Sequence, residues 1–69
     1  MTRSERLAKD GKIDIRCHGK SFTSKVIKNC NAVSDLRYIG TDFNCLYDGK
    51  EVTADIYEDK DGNLYAIIN

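Results

Sequence analysis

The chain has no proline, no tryptophan and only one histidine. Without proline, no loop is stiffened by a fixed φ, and no strand edge is blocked by a missing N–H. The single histidine, His18, follows Cys17 directly. Neighbours along a strand point to opposite faces, so these two do not make a nucleophile–base pair. Glycine-rich phosphate loops are missing too. Gly11, Gly19, Gly40, Gly49 and Gly62 are scattered one to a turn, where they serve backbone geometry. No apolar run approaches a membrane span, and Met1 to Asp10 is charged throughout with no apolar leader core. The expectation is a cytoplasmic chain with no membrane partner.

Cysteine is present but does not form a framework. Cys17, Cys30 and Cys45 make an odd count, which argues against paired disulfides and for reduced, partly buried thiols. Together with His18 they are the right residue types for zinc, but no pair has the close spacing of a zinc knuckle. Asp59, Asp61 and Asn63 look faintly like a calcium loop, yet the glutamate that would close it falls beyond Asn69. The remaining acids sit in turns or on solvent faces, where ordinary pKa values are expected. A domain of 69 residues rarely encloses a ligand-sized pocket. No catalytic residue, metal or cofactor is expected, and the chain reads as a non-enzyme.

What is present is organised by turns. Asp48-Gly49 and His18-Gly19 are two-residue hairpin signals, each flanked by alternating apolar residues. The first sets Cys45 opposite Val52 and Phe43 opposite Ala54. The second sets Ile15 opposite Phe22 and Arg16 opposite Ser21. A three-residue loop, Lys60-Asp61-Gly62, pairs Glu58 with Leu64 and Ile56 with Ala66. One face of that C-terminal meander then gathers Val52, Ala54, Ile56, Leu64, Ala66 and Ile68. A one-residue slip would turn the last strand over.

Thr2-Arg3-Ser4-Glu5 matches a capping box, which predicts a helix over residues 3–9 stopped by Gly11. Such a short helix is marginal, so residues 1–11 are expected to fray. Ala32, Val33, Leu36 and Ile39 recur at helical spacing, which predicts a second short helix over 32–39 with Gly40 as its C-terminal stop. The expected fold is a single α+β domain over 1–69: an N-terminal hairpin and a C-terminal three-stranded meander in an antiparallel sheet, with one short helix. The alternative is an all-β small barrel with 33–39 as a further strand.

Net charge is zero but divided. Residues 1–34 carry eight basic and three acidic side chains, and residues 35–69 carry three basic and eight acidic. The reverse face of the meander holds Thr53, Asp55, Tyr57, Tyr65 and Ile67, too apolar for a face meant only for water. Tyr57, Tyr65 and Ile67, with Asp55 and Glu58 beside them, are the expected protein-binding site, since aromatics are frequent interface anchors. The size and missing catalytic groups suit an inhibitor of the kind phages and mobile elements make, acting by occluding a host complex. The alternative is a nucleic-acid or nucleotide binder using Arg3, Arg6, Arg16, Lys20 and Lys25 of the basic N-terminal half, though the tyrosines that could stack on bases lie in the acidic half. A second apolar face on so small a domain also leads to the expectation of a homodimer.

Overall fold

Helix α1 spans Arg3–Lys9, and its start is the capping box read from the sequence. The Thr2 hydroxyl accepts from the Glu5 N–H at 3.4 Å, and the Glu5 carboxylate accepts from the Thr2 N–H at 3.0 Å. Gly11, at φ +69°, supplies the left-handed residue that redirects the chain. No helix residue is buried. Attachment rests on tethers at its first turn: the Arg3 guanidinium lies 2.5 Å from the Asp14 carboxylate, and the Ser4 hydroxyl accepts from the Gly49 N–H at 3.0 Å. A computed structural model describes residues 1–69 in this way.

Strands β1 (Lys12–Cys17) and β2 (Lys20–Ile27) form the first hairpin, with Ile15 opposite Phe22 and Arg16 opposite Ser21 as expected. His18 and Gly19 both take positive φ, the requirement of the tight turn between them. Strands β3 (Arg37–Tyr47), β4 (Lys50–Glu58) and β5 (Leu64–Ile68) form the meander. Its last register is the expected one, with Ile56 opposite Ala66 and Glu58 opposite Leu64. In the β4–β5 loop the Asp59 carboxylate accepts from the N–H groups of Asp61 (2.9 Å) and Asn63 (2.8 Å).

Three expectations are corrected. First, there is no helix over 32–39. A single 3-10 turn, Cys30–Ala32, is capped by the Asn29 side chain, and Val33 is already extended. Asp35 then takes a left-handed φ of 59°, which no helix tolerates. From Arg37 the β-formers Tyr38 and Ile39 enter β3, so Gly40 lies inside a strand rather than at a helix end. Second, Phe43 does not face Ala54. Asp42 does, because β3 carries irregularities between Tyr38 and Gly40 and between Asp42 and Cys45. Third, the sheet is not wholly antiparallel: its order is β1-β2-β5-β4-β3, with β2 and β5 parallel over three residue pairs.

The result is a mostly-strand domain with one short helix, its five-stranded mixed sheet curled into a nearly closed barrel. The two bulges bend β3 so that it approaches β1, the opposite edge. Side chains link these two edges. The Arg16 N–H donates to the Asp42 carboxylate at 2.7 Å, and His18 Nε2 donates to the Ile39 carbonyl at 2.8 Å. Inside, Ile13, Ile15, Cys45, Ala54, Ile56 and Ala66 form the core. Small Ala54 and Ala66 beside large Ile56 let opposite walls meet, as small barrels require. Ser24 is also buried there, and its hydroxyl has no partner.

Candidate protein-docking surfaces

Alternation along β4 and β5 puts Asp55, Tyr57, Tyr65 and Ile67 on the outer face, as read from the sequence. Tyr38, from β3, joins them: its ring meets Tyr57 edge-on, with centroids 5.5 Å apart at 66°. This face is not bare. β2 and β3 run in the same direction on either side of β5 and β4, so the connection between them must cross those two strands. The interior is filled, and the crossing runs outside, bringing Cys30 beside Tyr57. Hydrogen bonding with the Cys30 thiol, aided by partial desolvation and nearby negative charge, pushes the Tyr57 phenol up to about 12. Tyr57, Tyr65 and Ile67 are half-exposed.

The acids of this region are already engaged. Asp55 accepts from Thr41 at 2.9 Å and from the Asn69 amide at 3.2 Å. Glu58 pairs with Leu64, which puts it on the inner face by alternation, at the barrel's rim, and Arg37 bonds it at 2.6 Å. The structure therefore separates Glu58 from the tyrosines. Tyr65 donates to Asp59 at 3.1 Å, and desolvation together with that carboxylate raises the Tyr65 phenol above its ordinary value. Asp59 does not keep the ordinary pKa expected of a turn acid: bonds from the Asn63 side chain, from backbone N–H groups and from Tyr65 hold it below the usual range.

The exposed apolar side chains lie elsewhere. Apart from Met1, the large hydrophobics that stand well out into solvent are Phe43 (70 %), Tyr38 (54 %) and Leu46 (51 %), all on β3. Phe43 is there because the second bulge leaves it and Asn44 opposite a single residue of β4. Leu46 is there by simple alternation from buried Cys45. Both border an open groove of about 940 Å³ along the β1–β3 seam. Ile15 and Cys45 show at its floor, Leu7 of α1 lies across it, and Arg16 and Asp42 stand at the clasp. Burial and the nearby Asp42 carboxylate push the Cys45 thiol up.

The basic residues of the alternative reading do not form one stripe. Arg3 and Arg16 line the groove, but Arg3 is bound to Asp14, whose carboxyl that bond holds below the usual range. Arg6 lies in a smaller hollow with Leu7 and Asp10. Lys20 and Lys25 are exposed on β2, and Lys25 stands opposite Tyr65 across the parallel ladder. Cys17 and Cys45 are buried, Cys30 is exposed, and no three histidine, cysteine or acidic side chains gather as a metal site would need. No helix is long and apolar enough to cross a membrane.

Sequence reading found the tyrosine face by alternation but missed the groove. Leu46 was within reach of the same alternation. Phe43 was not, because the bulge that exposes it follows from closure of the barrel. The chain matches no protein-family model, no curated protein and no solved structure.

Proposed function

We propose that the chain is a non-enzymatic binding module that captures a protein partner on β3 and the groove beside it, and that it acts as an inhibitor by covering the partner's surface. The observation behind this reading is that Tyr38, Phe43 and Leu46, the exposed large apolar side chains of the folded body, all stand on one edge strand. Apolar side chains clustered on an otherwise polar surface favour an interface. Tyr57, with Cys30 of the crossover beside it and the Tyr38 ring edge-on to it, supports this surface instead of anchoring the partner itself. The test is quantitative capture from source cells by the wild-type chain and by Phe43→Ser with Leu46→Ser. Loss of a specific partner by tenfold or more is expected, on the order of a hot-spot pair, with an unchanged circular dichroism spectrum. Equal capture by both proteins refutes the reading.

A second reading has one observation in its favour. Barrel closure sets an exposed aromatic, Phe43, in the same groove as Arg3 and Arg16, a combination single-stranded nucleic acid uses for stacking and phosphate contact. Affinity for a polynucleotide that falls steeply with salt would support it, and salt-independent or absent binding would remove it.

A further inference from the structure

The charges in the β1–β3 groove are not equivalent. Arg3 and Asp14 neutralise each other, with the Asp14 carboxylate also accepting from the Thr23 hydroxyl at 2.7 Å. The Asp42 carboxylate is occupied by two backbone donors, the N–H groups of Arg16 (2.7 Å) and Asn44 (3.0 Å). The Arg16 guanidinium alone has neither an ion pair nor a hydrogen bond, although its backbone is fixed by that same Asp42 bond. A planar donor group carried on a fixed backbone at a groove wall, with the neighbouring acids already engaged, is matched to a carboxylate brought from outside.

The rest of the groove says what must surround that carboxylate. Phe43, Leu46, Leu7 and the half-buried Phe22 give an otherwise polar lining its apolar contacts. β1 and β3 are the two edges of the sheet, and each has a ladder partner on one side only. On such a strand every second N–H and C=O points away from its partner. The links between these edges run from side chain to backbone and do not form a ladder. An extended peptide answers all three features at once: backbone groups for the edge, alternate apolar side chains for the walls, and an acid for Arg16.

Resting on the docking reading above, we propose that this groove receives an extended peptide segment in which a glutamate or aspartate is flanked by apolar residues, its carboxylate meeting Arg16 and its apolar side chains meeting Phe43 and Leu46. A polynucleotide fits less well. It presents a run of phosphates, whereas the groove offers one unengaged cation and holds two carboxylates, Asp14 and Asp42, that would repel the rest.

The test is selection of random peptides displayed on phage against the immobilised full chain, followed by solution titration of the enriched sequences as synthetic peptides. Enrichment of an acid between apolar residues is expected. Replacing that acid by its amide should weaken binding about fivefold, the scale of one exposed ion pair. Arg16→Gln should abolish the difference between acid and amide without changing the circular dichroism spectrum. A consensus lacking the acid, equal binding of acid and amide, or no enrichment at all overturns the proposal. If the selected peptides depend on Phe43 and Leu46 but not on Arg16, the docking surface stands and its acidic occupant falls. If they depend on none of the three, both fall. Tighter, Phe43-dependent binding of fluorescent oligo(dT) than of any selected peptide assigns the groove to nucleic acid and likewise overturns the proposal.

Discussion

Gly40 is where the barrel's closure can be tested most directly. It lies in β3 opposite Ile56, and its Cα faces β1 so closely that an added Cβ would sit 2.5 Å from Cys17 Sγ and 3.5 Å from His18 Nε2. Ordinary contact between such atoms needs about 3.5–4.0 Å, so Gly40→Ala creates an overlap of about 1 Å. Cys17 is buried and cannot swing outward freely, and moving His18 would loosen its bond to the Ile39 carbonyl. Overpacking of this kind costs about 1–3 kcal/mol. For a domain of this size that lowers the melting temperature by roughly 4–8 °C per kcal/mol. Urea unfolding followed by circular dichroism should show the midpoint falling with an unchanged m-value. The decisive arm is Gly40→Ala made in a Cys17→Ala background. With the sulfur gone the overlap disappears, and the added methyl should be neutral or stabilising by a few tenths of a kcal/mol through the unfolded chain. Equal destabilisation in both backgrounds would refute the contact, and no destabilisation in either would refute the closure of β3 on β1.

Ser24→Ala should leave stability unchanged or raise it by up to about 1 kcal/mol, because the buried hydroxyl has no partner to lose; a fall larger than that in urea unfolding would mean the hydroxyl is bonded. The Tyr57 phenol titrates near 12 in the folded chain against about 10 unfolded. Its contribution to stability is complete below about pH 10 and is lost as pH rises through the folded value. Absorbance titration of the phenolates should show the highest transition disappear in Tyr57→Phe and move down in Cys30→Ala, and an unmoved transition in Cys30→Ala would break the link to the crossover.

The two glycine-turn hairpins and the register of the last strand are legible in the sequence because each is a local matter. Residue types at the turn set the φ angles, and alternation on either side confirms the pairing. The capping box at Thr2 is legible for the same reason. Residues 32–47 are not. Val33 and Leu36 are half-buried on the crossover, and Ile39 packs against the core from a bulge, so their helical spacing comes from two unrelated environments. The bulges themselves answer a demand made elsewhere in the chain, that β3 reach β1. The tyrosine face shows the division clearly. Its side chains could be named from alternation, but the loop that passes beside Tyr57 could be seen only once β5 was known to lie between β2 and β4. The groove joins residues from Arg3 to Leu46 and has no contiguous signature.

The position of β5 also bears on how the chain is made. It is the last of the five strands in chain order, yet it occupies the middle of the sheet, holding β2 on one side and β4 on the other. The first hairpin and the β3–β4 pair can each form as they emerge, but they have no ladder between them until Leu64–Ile68 arrives. Until then β2 and β4 both present open edges, the arrangement most exposed to pairing with a neighbouring nascent chain. Folding is therefore gated by the arrival of Leu64–Ile68. The same dependence makes the five-residue strand a natural point of complementation, where a separate copy of it could enter the gap and complete the fold.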